Sequence, residues 1–196
     1  ILDEFHERTL ENALALAWLR RASRTKTLIM SATLPAELGG QLRAPLLRCS
    51  LPMHPVDTGY RDSGKSLEQA VLESVRGLPG SGLIFLPGMR EIRAVQRQLA
   101  GLAERQGVRL QILHGSLPGP EQDEVLLANP RDIRWVLCTN VAETSLTVPD
   151  ISWVIDSGLA RVSVHPPGQP LSRLETRKIS QFSALQRAGR AGRQRA

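Results

Sequence analysis

Four short strand-like runs, with a helical pattern before the first and in each of the next two gaps, constrain this chain more than any other feature. They lie at residues 82–86, Arg109–Leu113, 134–139 and 152–155. Ser66-Leu67-Glu68-Gln69 has the form of a capping box and opens a helix whose Leu67, Val71, Val75 and Leu78 share a face. After Pro87-Gly88 a second helical pattern turns Ile92, Val95, Leu99 and Leu102 inward and Arg90, Arg93 and Arg97 outward. Pro120 starts a third, running through Leu127, since proline is tolerated in the first helical turn. Continuous apolar strands alternating with amphipathic helices predict a parallel sheet covered on both faces.

The residues before this block carry a shorter version of the same rhythm. Ile1-Leu2-Asp3-Glu4-Phe5-His6 reads as the end of a buried strand that delivers two carboxylates and an imidazole at its carboxyl edge. Thr9 can cap a helix over residues 10–24, with Leu10, Leu14, Ala17 and Arg21 on one face. Residues 27–30 read as a second buried strand that ends at Ser31-Ala32-Thr33, and residues 46–51 as another short one. The breaker-rich stretch at 52–62 is the candidate linker. The expected division is 1–51, linker 52–62, and a second domain at 63–196.

Past residue 160 the pattern changes. Residues 161–165 and 171–178 flank Pro166-Pro167-Gly168-Gln169, which predicts a β-hairpin. From Arg161 onward eight basic residues stand against one acid, Glu175, so this region carries +7 and the residues before it about −1, for a formal net charge of +6. A basic block on an otherwise neutral chain suits a polyanion such as nucleic acid or nucleotide, although charge alone fits a solvated face equally well. Cys49 and Cys138 lack metal-ligand spacing and read as reduced core thiols. No apolar run approaches the roughly 20 residues of a membrane span, so membrane partners are not expected.

The last motif is Gln186-Arg187-Ala188-Gly189-Arg190-Ala191-Gly192-Arg193. On a continuous helix Gln186, Arg190 and Arg193 would share a face. Guanidinium forks match phosphate oxygens, so the predicted surface is one for a polyphosphate. Paired acids at a strand's carboxyl edge, as at Asp3 and Glu4, can hold a hydrated Mg²⁺ and orient a water.

Taken in order, Asp3-Glu4-Phe5-His6, Ser31-Ala32-Thr33, residues 83–88, His114-Gly115-Ser116-Leu117, residues 139–148 and residues 186–193 resemble the signature motifs of superfamily 2 helicases of the DEAH/RHA group. The most specific segment is Thr139-Asn140-Val141-Ala142-Glu143-Thr144-Ser145-Leu146-Thr147. Phe5, with Leu2 before it and Glu7-Arg8 after it, is most similar to the bacterial HrpB type. The resemblance implies an α/β fold of RecA-like parallel sheets with flanking helices. The chain would supply the C-terminal part of a first RecA-like domain and most of a second, with a β-hairpin before the last motif.

The resemblance also implies roles. Asp3 would hold the Mg²⁺ of ATP through water, and Glu4 would orient or deprotonate the attacking water. His6 would couple that site to Ser31, Thr33 and Gln186. Gln186 would help position the water, and Arg190 and Arg193 would be arginine fingers, whereas Arg187 is assigned to structural pairing with strand ends. Ser145 would read the nucleotide state. Thr139, Asn140, Arg161 and Arg173 would lie along nucleic acid, with the hairpin as a strand-separating wedge or a plain basic edge hairpin.

The implied partner is single-stranded RNA, with DNA left open. The implied state is a cytoplasmic monomer. Two departures stand out: Pro149 takes the place of a ribose-contacting acid, with Asp150 one residue later, and Leu126 stands where some relatives stack an aromatic on the base. Both loosen base recognition and point to use of several nucleoside triphosphates.

No G-x-x-x-x-G-K-[ST] loop occurs in the sequence, because Gly64-Lys65-Ser66 follows no apolar strand and reads as a loop before a capped helix. A phosphate loop is therefore expected upstream of Ile1, and the chain alone is expected to lack RNA-stimulated ATPase. The alternative from another class is a non-catalytic RecA-like module that holds RNA or a partner. An unrelated phosphate-binding enzyme, such as a kinase, leaves the 139–147 string unexplained.

Overall fold

The computed structural model describes residues 1–7, 9–22, 25–32, 36–49, 54–61, 64–127, 129, 131–143, 146–166, 168 and 171–191. Contacts divide it into two compact units, Ile1–Leu51 and Pro52–Ala196.

In the second unit the alternation becomes helix α3 (Leu67–Val75), strand β1 (Ser81–Phe85), α4 (Met89–Gln106), β2 (Arg109–Leu113), α5 (Gly119–Leu126), β3 (Arg134–Cys138) and β4 (Ile151–Asp156). The four strands form one parallel sheet in the order β2-β3-β1-β4. Side chains alternate across the pleat, which sorts the core into two layers. Ile84, Trp135, Leu137 and Trp153 pack under Val71 and Val75 of α3 and Ile92, Val95 and Leu99 of α4. Leu83, Phe85, Val136 and Cys138 face the other way and pack with Leu113, Val125, Ala142 and Val148. Both faces of the sheet are therefore covered.

Local chemistry sets the element ends. The Ser66 hydroxyl caps α3 by accepting from Gln69 N at 3.4 Å. Gly107, at φ +64°, closes α4 in the left-handed conformation that glycine adopts without a Cβ clash. Gly82 has a different reason to be glycine. It lies directly opposite both Trp135 and Trp153 in the sheet. A Cβ there would come within 2.2 Å of the Trp153 ring, and the two indoles meet edge to face at 6.2 Å.

One buried cation crosses the amino edge of the sheet. Arg134 is 1% exposed and donates to the carbonyls of Val125 and Pro149 and to Gln111 Oε1. Desolvation pushes its guanidinium below the usual arginine range, opposed by the charges of Asp150 and Asp132. It ties the end of α5 to the segment entering β4.

After β4 come β5 (Leu159–Val164) and β6 (Arg173–Lys178), an antiparallel hairpin, and then α6 (Gln181–Ala188). Ser180 caps α6 by accepting from Ser183 N at 3.1 Å. The helix ends at Ala188, with Gly189 as its cap, and Arg190 and Ala191 continue as turns. The continuous helix expected over 186–193 is therefore not formed across its described part. Two glycines in four positions remove the propensity that would carry a helix through.

The first unit departs further from expectation. Its two anticipated buried strands meet in one parallel bridge, Leu2 to Ile29, and Leu28 and Met30 are exposed. Among the described residues of this unit no further strand lies alongside, and two extended segments alone bury little of their side chains. Helix α1 (Leu10–Arg21) is capped by Thr9, as read from the sequence, but stops at Arg21, and its Leu10, Leu14 and Trp18 are exposed. Helix α2 spans Ala36–Leu42. Residues 46–49 form no strand, and Leu47 and Cys49 are exposed, so Cys49 is not a core thiol. Residues 50 and 51 of that expected strand lie outside the described residues. No described helix is long and apolar enough to cross a membrane.

Candidate functional site

In the second unit the candidate residues gather at the carboxyl edge of the sheet, where open α/β sheets bind ligands. Strand β3 ends at Cys138 and the chain turns through a single 3₁₀ turn, Asn140–Ala142. Thr139 is buried and bonded through its N–H to Leu113 O, whereas Asn140 is exposed. Ala142 is buried in the core, which brings Glu143 over the strand ends.

Glu143 is where this turn meets α6. Its carboxylate accepts from Arg187 Nε at 2.9 Å and from the Ser183 hydroxyl. Arg187 also donates from Nη1 to Asp156 Oδ1, at the end of β4, at 2.8 Å and to Leu159 O at 3.3 Å. Its guanidinium carbon lies 4.8 Å from the centroid of the Phe85 ring. The Arg187 side chain is 1% exposed, against 14% for Glu143 and 21% for Asp156. A buried guanidinium needs paired charge and filled donors, and these contacts supply both.

Arg190 is also buried, and its guanidinium donates to the backbone carbonyls of Glu143 and of Leu146, the latter at 2.6 Å. Here, then, the Arg190 fork is seated on the backbone of the 139–148 segment. Gln186 is half-buried on α6. Ser145 and Arg193 lie outside the described residues.

The hairpin separates the two arginines that were grouped by sequence. Arg161 is opposite Thr176 in the register and Arg173 opposite Val164, so they project from opposite faces of the ribbon. Glu175 lies between Arg177 and Arg173, and hydrogen bonds from them hold its carboxyl below the usual carboxylate range.

The first unit carries its own cluster. Asp3 is exposed, and its Oδ1 accepts from Glu4 N at 2.8 Å. Glu4 has φ +48°, a left-handed conformation that is uncommon for a residue with a side chain and tends to occur at functional positions. His6, whose side chain is 4% exposed, links Glu4 Oε2 at 3.1 Å to the Ser31 hydroxyl at 3.2 Å. The imidazole thus joins a carboxylate to a strand-end hydroxyl 25 residues away. Thr33 lies outside the described residues.

Residues 65–195 match the model of the helicase conserved C-terminal domain. The chain belongs to that family. Over 98% of its length it is 41% identical to the ATP-dependent RNA helicase HrpB of Escherichia coli, of which it spans 26%. It is 38% identical to the ATP-dependent RNA helicase HrpA of the same organism, spanning 16% of that protein, and 32% identical to the mouse ATP-dependent RNA helicase DHX33, spanning 31%. The crystal structure of the E. coli DEAH/RHA helicase HrpB superposes with a TM-score of 0.83 at 40% identity, covering 97% of this chain and 26% of that one. The chain thus spans about a quarter of HrpB, and its parallel sheet with flanking helices matches the RecA-like C-terminal helicase domain.

Sequence reasoning left three residues of this helicase domain without roles: Glu143, Asp156 and Glu91. The available signal was charge placed where apolar strands end, as at Asp156 directly after 151–155. Their partners are contributed by segments 31 to 70 positions away, so spacing alone could not name them.

Proposed function

We propose that this chain is part of an ATP-dependent nucleic-acid helicase, acting on RNA, in which it supplies the end of a first RecA-like domain and most of a second. One observation carries the reading. Arg187 joins the 139–148 segment, the end of β4 and α6 at a single buried point on the carboxyl edge of the sheet. That arrangement lets a nucleotide-contacting segment and a nucleic-acid-contacting segment move as one body.

In this reading Glu4 orients the attacking water, Gln186 helps to position it, and Arg190 and Arg193 offset charge on the transferring phosphoryl group. Arginine fingers of this kind contribute about 10³–10⁵ in rate. Mg²⁺ would be held by Asp3 through water and would neutralise phosphate charge. An exposed carboxylate suits an ion that keeps most of its waters. His6 would couple Glu4 to Ser31 and Thr33, and Ser145 would read nucleotide state. Thr139, Asn140 and Arg173 would follow the nucleic-acid backbone, which gives weak sequence preference. The protein would act as a cytoplasmic monomer.

The seating of Arg190 on backbone carbonyls favours the second reading, a non-catalytic RNA-holding module, because a finger must leave those carbonyls to reach a phosphate. Glu4→Gln in the intact protein separates the two. The helicase reading expects ATP binding within about twofold of the parent and RNA-stimulated hydrolysis reduced at least a hundredfold, in keeping with loss of general-base catalysis. Hydrolysis at the parental rate in this variant would remove Glu4 from its role. A parent that binds RNA but never hydrolyses ATP would establish the module.

A further inference from the structure

We infer that Arg161 is a positioning residue that anchors the β5–β6 hairpin to the first turn of α4, through Glu91 and the bare face of Gly88, and is not a nucleic-acid contact. The register places Leu159, Arg161, Ser163, Leu174, Thr176 and Lys178 on one face of the hairpin, and Arg173, Glu175 and Arg177 on the other. Arg161 is the arginine of its face, and that face carries it onto the body of the domain.

Three observations define the anchor. The Arg161 side chain lies over Gly88, the residue that caps α4. A Cβ on Gly88 would sit 3.1 Å from Arg161 Cδ and Nε and 3.2 Å from Cζ. Gly88 has φ −171°, extended backbone open to any residue, so what its missing side chain provides is space for the guanidinium. Next, Arg161 Nη2 faces Glu91 Oε2 at 3.8 Å, with the Glu91 side chain only 14% exposed. That oxygen is buried and has no hydrogen bond among the described residues, while Oε1 accepts from Arg90 at 2.9 Å. Lastly, Gly88 offers α4 no side-chain cap.

Helix polarity decides which group depends on which. A helix N-terminus carries partial positive charge and favours a carboxylate in its first turn. Glu91 is therefore at home there, whereas a guanidinium placed against the same turn is repelled unless a carboxylate intervenes. Arg161 stays because Glu91 is present. Since Leu86, Pro87 and Gly88 are buried and lead directly from the central strand β1 into α4, the anchor fixes the angle of the hairpin to the rigid sheet. The consequence for strand separation rests on the helicase reading. The anchor itself does not.

Amide hydrogen exchange in Glu91→Gln and Arg161→Gln tests the anchor. The expected result is about tenfold faster exchange for 159–164 and 173–178 in both variants, parental protection in β1, and recovery in Arg161→Lys, which keeps the charge. In the intact helicase, Glu91→Gln should slow duplex unwinding several-fold while RNA-stimulated ATP turnover stays within twofold of the parent. Unchanged hairpin exchange in Glu91→Gln overturns the proposal. So does Arg161→Gln lowering the slope of log affinity for single-stranded RNA against log salt by the roughly 0.7 of one lost phosphate contact while hairpin exchange stays parental. An intact protein that neither hydrolyses ATP nor unwinds duplex would sink the helicase reading, and hairpin exchange would still decide the anchor.

Discussion

Replacing Arg187 by Met tests the central junction directly. Methionine fills similar volume against Phe85 but leaves Glu143 and Asp156 facing each other without their shared cation. Breaking a buried ion pair by removing one partner costs about 3–5 kcal/mol. The two carboxylates keep 14% and 21% exposure and can take up water, so the lower end, about 3 kcal/mol, applies. For a domain of this size each kcal/mol lowers the melting temperature by about 2–4 °C, giving a fall of about 6–12 °C. Tryptophan fluorescence is the assay, because Trp135 and Trp153 are buried in the second unit and report its unfolding.

A companion variant carries the logic. Arg187→Met combined with Glu143→Gln and Asp156→Asn removes the uncompensated charge, so it should recover at least half of the loss. A melting temperature within about 1 °C of the parent for Arg187→Met would refute the reasoning. So would a triple variant whose losses simply add.

Other outcomes follow from single contacts. Gly82→Ala should destabilise by about 3 kcal/mol or more, the upper end for overpacking, since a Cβ 2.2 Å from the Trp153 ring forces an indole or a strand to move; a chemical-denaturation midpoint equal to the parent's would contradict this. Burial pushes the Cys138 thiol well above its usual range, so a thiol reagent at pH 8 should modify exposed Cys49 and spare Cys138 until the protein unfolds. Because the folded pKa is raised, its stabilising contribution is complete below the unfolded value of about 8.5 and declines as pH climbs above it, which melts at pH 7, 9 and 10 would register. On the proposed helicase reading, in which Pro149 and Leu126 stand where some relatives hold ribose and base, the intact protein should turn over ATP, GTP, CTP and UTP at comparable rates, and strict ATP dependence would dismiss that expectation.

The parallel sheet of the second unit and the order of its motifs can be read from the order of residues alone. That layer is legible because burial imposes periodicity on nearby residues: 82–86 must be apolar on both faces, and 67, 71, 75 and 78 must recur on one. Caps are local too, so Ser66 and Thr9 could be read directly. The first unit shows the limit of such reading, since residues 27–30 have strand composition yet only one bridge, and burial needs neighbours that composition does not specify.

Tertiary structure decided what each charge is for. Three arginines at 187, 190 and 193 look alike in sequence. Folding buries Arg187 between two carboxylates and seats Arg190 on two carbonyls, because helix α6 stops at Ala188 and turns the two side chains toward different partners. It likewise sent Arg161 and Arg173 to opposite faces of one hairpin. Coulomb and hydrogen-bond energies depend on distances across the chain, and those distances exist only once the sheet has brought Glu143, Asp156 and Glu91 to their partners.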